Sequence, residues 1–473
     1  MRILIVEDDV DFADFLSEIA NILDPAPTVS VCRSTASALA LLDSAAFDLV
    51  ILDRRLPTSD DAMDAEVEHG TVVYEYLRSS HQGTPICFVT GYPTSDFLLA
   101  RINDAENVDV WGNGLHEPLI QVIPKSDGDS IADVLRHHAR EVEECRNVEV
   151  DSPHALALSY FEKRAVRIFA RRAGCYSAEI RQLSGGLSGM RVLRVTFKDQ
   201  AGTVSQTCVA RIGAHVEIRE EYDAYMQHVV RLPNGSYAAL NGTVFHGTAN
   251  KAGIFYTLIP NFTSLLAILQ RDEHEAVRIV GQLRTNSLRW TSNRPQISMT
   301  VAELRRLLLK DADLTPSESE LDGLRWRELE RSRVQVALAA QHGDLHSENV
   351  LVAEGRPILI DYGRVGIGPA CLDPLMLELA FLFHPACKRV VGDWPSREHV
   401  SRWGTIDEYV AACPYKLFLK AIREWAVEAS QGKRSLYATT YAIAVRQLKF
   451  PSTDRSLIRA LIDMSILAIE TDT

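Results

Sequence analysis

Two short apolar runs end on acids, and no other feature constrains this chain as tightly. Arg2–Val6 (RILIV) runs into Glu7 and Asp8, and Phe47–Leu52 (FDLVIL) runs into Asp53. Runs this short and this apolar are expected as strands covered on both faces. Pro85–Thr90 and Leu119–Ile123 repeat the pattern, ending at Thr90 and at Pro124–Lys125, and Val29–Cys32 is strand-like. Helical periods fall between them, at Phe12–Leu23, Ala36–Ser44, Thr71–Arg78 and Ile131–Cys145. This alternation predicts an α/β doubly wound parallel five-stranded sheet over residues 1–145. In such a sheet ligands bind beyond the carboxyl ends of the strands, so Glu7, Asp8, Asp53, Thr90 and Lys125 are expected in one pocket. Clustered carboxylates repel, and a hard cation such as Mg²⁺ relieves the repulsion. A hydroxyl and an ammonium beside Asp53 suit the oxygens of an acyl phosphate formed when Asp53 attacks a phosphoryl donor.

The motifs IVEDD (5–9), LVILDRRLP (49–57), FVTGY (88–92) and IPKSD (123–127) resemble those of a two-component response-regulator receiver domain. The resemblance implies a flavodoxin-like fold with Asp53 as phosphoacceptor and a sensor histidine kinase as donor. It implies that Asp8, Asp53 and the backbone carbonyl of Arg55 hold Mg²⁺, assisted by Glu7, and that Thr90 and Lys125 are the switch pair. Two stretches exceed the family pattern. Gly70 stands 17 residues after Asp53, which makes Thr58–His69 an acidic insertion. The passage from Thr90 to Lys125 is also long, with its extra part around Asn103–Glu117, where Trp111, Gly112 and Gly114 fall.

Beyond the short link 146–154, strand-like pieces precede helical patterns, which predicts an α+β unit with two lobes, about 155–260 and 261–473. Leu183–Arg191 (LSGGLSGMR) offers Gly185, Gly186 and Gly189, whose backbone amides can approach phosphates closely. QHGDLHSENVLV (341–352) sets His342, Asp344 and Asn349 on one irregular loop, and Asp361-Tyr362-Gly363 follows a hairpin over Val350–Ile360. An Asp near a hydroxyl can take its proton, while an Asn and a second Asp can hold Mg²⁺ on phosphates.

HGD-x4-N followed by IDYG resembles the aminoglycoside phosphotransferase and choline kinase branch of the protein-kinase-like fold. The resemblance implies ATP and Mg²⁺ as cofactors, Asp344 as catalytic base, Asn349 and Asp361 as metal ligands, and Gly185, Gly186 and Gly189 as the phosphate-covering loop. His342 is expected to be structural, Asp373 to anchor the catalytic loop, and Tyr256–Asn261 to lie at the hinge. Arg211 stands in the usual Lys slot, with Glu221 as its expected helix partner and Glu220 as the neighbouring candidate. Arg keeps the charge but not the geometry of Lys. Two readings therefore stand. One is a phosphotransferase acting on a hydroxyl of an unknown small molecule or protein under receiver control. The other is a non-catalytic nucleotide-binding pseudokinase scaffold.

Charge agrees with a division of labour. Residues 1–150 carry 10 Lys+Arg against 28 Asp+Glu, a balance of −18, and residues 151–473 carry 40 against 35, a balance of +5. The acidic part is a poor candidate for a DNA-binding surface, which needs a cationic face, and no basic recognition helix stands out, so nucleic acid is not an expected partner. The opposite balances permit docking of one part on the other. A homodimer is compatible with the chain. No apolar run spans a bilayer, and the acids after MRILIV exclude a secretory signal. The eight cysteines form no CxxC pair, as expected of reduced thiols in a cytoplasmic protein.

Overall fold

The structure, a computed structural model, describes residues 1–91, 107–183, 191–292 and 294–471. The chain divides into two compact units, Met1–Glu220 with Ala239–Leu258, and Glu221–Ala238 with Ile259–Thr473.

The first unit opens with the expected parallel sheet. β1 (Arg2–Val6), β2 (Thr28–Cys32), β3 (Leu49–Leu52), β4 (Ile86–Thr90) and β5 (Ile120–Pro124) lie in the order β2-β1-β3-β4-β5. Every residue of β3 and β4 is buried, because helices cover both faces. α1 (Val10–Asn21) starts where Asp9 accepts from the Phe12 amide, and α2 (Thr35–Ser44) starts at a Ser34/Ser37 capping box. α3 runs over Val67–Ser80, earlier than its apolar period suggested. Its start is set by backbone pairing of Leu56 with Glu66, at 3.2 and 3.0 Å, which pinches the acidic insertion into a closed loop. Gly70 then approaches Arg54 so closely that a Cβ would lie 2.2 Å from its carbonyl oxygen. α4 (Gly128–Arg146) completes this layer, capped by Asp127.

Residues 146–154 are not a free link. Glu149–Asp151 forms β6, which pairs in parallel with β7 (Ser177–Gln182) at the edge of a second sheet. That sheet continues through β8 (Arg191–Lys198), β9 (Val204–Ala214), β10 (Leu240–Val244) and β11 (Lys251–Thr257) in the order β10-β11-β9-β8-β7-β6. α5 (Tyr160–Arg172) opens on a Ser159/Glu162 capping box and packs against it.

One buried apolar cluster runs from the parallel sheet into the second sheet. It joins Ile5, Ile51, Leu135 and Val142 to Trp111, Ile168, Phe169, Val195 and Phe255. The ion pairs across this seam draw their acids from the N-terminal part and their bases from α5, as the charge balance suggested. Arg171 meets Glu141 at 3.0 Å, Arg172 meets Asp109 at 3.1 Å, and Arg164 meets Asp48 at 3.5 Å with both side chains fully buried. The long passage before β5 supplies the contact. Gly112 has φ +72, and a Cβ there would lie 2.2 Å from the Ile168 carbonyl oxygen, so a larger residue would push this passage off α5.

In the second unit, β12 (Gln296–Thr300), β13 (Arg333–Gln341) and β16 (Gly366–Pro369) form one small sheet, and β14 (Val350–Ala353) pairs with β15 (Arg356–Leu359) in the expected hairpin. After α6 (His215–Gln227), the helices α7 (Leu265–Arg271), α8 (Glu273–Thr291), α9 (Leu372–Phe383), α10 (Lys416–Ser430), α11 (Lys433–Gln447) and α12 (Arg455–Thr471) make the bulk. α11 is apolar or small nearly all round and is buried throughout its length from Ala438 to Gln447. No helix among the described residues is long and apolar enough to cross a membrane.

Candidate functional site

In the first unit, parallel strand ends bring the acids together. Glu7 follows β1, Asp53 follows β3, and carboxylate oxygens of Glu7, Asp8 and Asp53 lie within 4.8 Å of one another. Lys125, one residue past β5, places Nζ 2.7 Å from Glu7 Oε1 and 2.7 Å from Asp53 Oδ2. Its backbone amide donates to the Thr90 carbonyl at 3.0 Å, so both switch candidates sit on adjacent strand ends. Asp53 Oδ1 accepts from the amides of Arg54 at 2.7 Å and Arg55 at 3.4 Å, which fixes the carboxylate.

One ammonium cannot balance three carboxylates. Burial first, and then the charge of Asp53, push Glu7 up to about 7, against the pull of Lys125. Burial also raises Asp53. Burial lowers Lys125, but its bonds to Asp53 and Glu7 outweigh that and the net shift is upward. Glu7 Oε2 is buried without a hydrogen-bond partner. An orphaned carboxylate oxygen beside two further acids is a donor set fit for a hard divalent cation.

The raised Glu7 predicts a pH dependence. Its folded form holds a proton that the unfolded chain has released above about pH 4.5, so its contribution to stability declines as pH rises toward 7. A cation must displace that proton. We expect Mg²⁺ to bind roughly tenfold more tightly at pH 8 than at pH 6, levelling off above about 7. Mg²⁺ titrations followed by thermal unfolding should show the slope in wild type and lose it in Glu7→Gln.

In the second unit, β13 delivers the loop that carries Asp344. Asp373, at the start of α9, is 4% exposed and accepts from the amides of His342 at 2.8 Å and Gly343 at 2.9 Å, while its own amide donates to Gln341 Oε1 at 3.0 Å. His342 bonds through Nε2 to the Ile360 carbonyl at 2.9 Å, tying the loop to the strand before Asp361. Gly343, at φ +76, passes so near Arg364 that a Cβ would lie 2.4 Å from its carbonyl oxygen. Asn349 Nδ2 donates to the Asp344 carbonyl at 3.0 Å, and Ile360 donates to the Asn349 carbonyl at 3.2 Å. Asp344, Asn349 and Asp361 are therefore linked through one bonded frame. Asp361 itself sits at φ +66, a conformation that few L residues adopt without support. His346 is pushed down to about 4 by burial and by His384, whose ring stacks on it at 4.2 Å, so it is a neutral ring at pH 7.

Sequence reasoning missed Arg446 on α11. This buried guanidinium donates to the Gly343 carbonyl at 3.2 Å and pairs with Asp344 Oδ1 at 3.5 Å. A lone Arg in the apolar run YAIAVRQL was the available signal, since such charges are rarely buried unpaired. Arg211 is 4% exposed on β9, in register with Val192 and Ile254, and Glu221 is 2% exposed on a helix over His215–Gln227. Gly185, Gly186 and Gly189 lie outside the described residues. The expected hinge, Tyr256–Asn261, contains the boundary of the compact units at Leu258.

Residues 3–109 match the response regulator receiver domain family. The N-terminal part of this chain is a receiver domain. Residues 321–402 match Ternary complex associated domain 9, which takes in the loop from Gln341 to Gly363. No curated protein matches. Among solved structures, the CheY-like receiver domain protein of Methanospirillum hungatei JF-1 is 22% identical, covering 30% of this chain and 97% of that one with a TM-score of 0.21. The Mn²⁺-bound response regulator Rcp1 is 16% identical, covering 29% and 89% with a TM-score of 0.22. The amicoumacin kinase hAmiN, solved with AMP-PNP, Ca²⁺ and Ami, is 13% identical, covering 70% and 93% with a TM-score of 0.35. Beyond the receiver, the chain supplies a six-stranded sheet and a largely helical unit that carries the HGD loop.

Proposed function

We propose that this is a two-component signalling protein whose receiver is phosphorylated on Asp53 by a sensor histidine kinase and regulates an ATP- and Mg²⁺-dependent phosphotransferase. The observation that carries the reading is the bonded frame that joins Asp344, Asn349 and the strand leading to Asp361, braced by the buried Asp373. In it Asp344 takes the proton of an acceptor hydroxyl, while Asn349 and Asp361 hold the metal on the phosphates. Gly185, Gly186, Gly189, Arg211 and Glu221 serve the nucleotide. In the receiver, Asp8, Asp53 and the Arg55 carbonyl hold Mg²⁺ with help from Glu7, and Lys125 and Thr90 engage the acyl phosphate.

Regulation rests on the shared core. The receiver is packed onto the second sheet by Trp111, Gly112 and three acid–base pairs, so a change at Lys125 or along the passage before β5 is felt at α5. Intact mass after treatment with a small acyl-phosphate donor and Mg²⁺ should rise by one phosphoryl group, and Asp53→Asn should abolish the rise. Labelling that persists in Asp53→Asn would sink the assignment. Millimolar ATP with Mg²⁺, at about 100 times its Kd, should stabilise the full chain by roughly 2.7 kcal/mol. The pseudokinase scaffold is favoured instead by Arg211 in the Lys slot, and an ATP-binding chain without acceptor-dependent turnover would establish it.

A further inference from the structure

We propose that Glu117, His137 and His138 form a second cation site in the receiver, distinct from the acidic pocket, that takes a borderline-soft divalent ion of the Zn²⁺ class. Ligand atoms of the three side chains lie within 4.8 Å of one another. Glu117 belongs to a short hairpin, Asn107–Val108 paired with Glu117–Pro118, in the passage that exceeds the receiver pattern. His137 and His138 are consecutive on α4.

Their hydrogen bonds leave vacancies that a cation satisfies. Glu117 Oε2 meets His137 Nε2 at 2.5 Å, but Glu117 Oε1 is buried with no partner. His138 is 1% exposed, and its Nδ1 is likewise buried with no partner. Buried imidazole nitrogens and carboxylate oxygens are rarely left unbonded in a folded protein. The charges nearest the cluster are already committed. Glu141 accepts from Asn113 and Arg171, and Arg140 is exposed and reaches Glu141 at 3.4 Å. The Trp111 ring stands edge-on to His138, with centroids 5.7 Å apart, and walls one side with apolar surface.

Two imidazoles and one carboxylate are the donors that Zn²⁺ prefers, with a fourth position left for water. Mg²⁺, which prefers oxygen donors, is matched by the acidic pocket and not by this one. Bound here, the ion ties the 107–118 hairpin to α4. Trp111 and Gly112, which pack on α5, lie inside that hairpin, so the ion fixes the segment through which the receiver grips the second sheet.

The test uses the full chain, stripped with a chelator and carrying Asp8→Asn to weaken the acidic pocket. Titration with Zn²⁺ should bind one equivalent per chain, and Co²⁺ should give the strong visible bands of a four-coordinate ion. Glu117→Gln and His137→Gln, both at partly exposed side chains, should each weaken binding by more than the roughly 10–100-fold that loss of an outer partner costs. Unchanged stoichiometry and affinity in both variants overturns the proposal. So does a Co²⁺ spectrum, in the chain with Glu117, His137 and His138 intact, that shows only the weak bands of an octahedral oxygen-bound ion, a result that does not depend on the variants folding.

Discussion

Asp344→Ala should lower acceptor-dependent phosphoryl transfer by about 10²–10⁴-fold while ATP still binds, because a positioned general base contributes on that order. The loop around Asp344 is held by groups other than its own side chain. Asp373 fixes the amides of His342 and Gly343, and Asn349 fixes the Asp344 carbonyl. Removing the carboxylate therefore leaves the frame standing, and the effect falls on turnover and not on nucleotide affinity. Arg446→Met separates two roles. Arg446 pairs with the Asp344 carboxylate and with the Gly343 carbonyl, so its loss should reduce turnover with the KM for ATP unchanged. The assay is ATP consumption with Mg²⁺ across a panel of hydroxyl acceptors, with a thermal shift by ATP measured in parallel. Equal turnover in wild type and Asp344→Ala would remove Asp344 from the reaction. A retained ATP shift with no turnover in either would favour the scaffold.

The second large effect is on stability. Arg164→Ala should destabilise the chain by about 3–5 kcal/mol, because it strands a buried carboxylate. Asp48 is buried beside β1, where Oδ2 also accepts from the Arg2 amide at 2.7 Å and the Tyr160 hydroxyl at 3.2 Å. Those bonds do not balance its charge, and the guanidinium of Arg164 that does so stands against the Tyr160 and Trp111 rings, 4.9 and 5.6 Å from their centroids. Arg164→Met, which fills the space without charge, leaves Asp48 in the same position and should also be costly. The double change Asp48→Asn with Arg164→Met should recover most of the loss. Denaturant unfolding of the full chain measures all three. Because one core spans the seam, receiver and second sheet should lose stability together. A transition that moves for the receiver alone would show that the two fold independently.

The receiver was legible because its chemistry is local in sequence. Each functional group ends an apolar run or lies one or two residues past one, and parallel strand order carries all the run ends to one edge, so Glu7, Asp8, Asp53, Thr90 and Lys125 needed no knowledge of packing. The HGD loop was legible for the same reason, as its groups fall within one loop and the hairpin after it. Strand β6 was not, because three residues read as a polar link when seen alone and become a strand only beside β7. The seam at Trp111, Gly112 and Arg164 was not legible either. Sequence showed an overlong passage and opposite charge balances, but the partners of Asp48, Asp109 and Glu141 stand between 30 and 116 residues away. Burial of a charge, the pairing of Arg446 with Asp344 and the meeting of Glu117 with His137 and His138 depend on which surfaces face each other. That is fixed by closing the whole core, so only the tertiary structure could decide it.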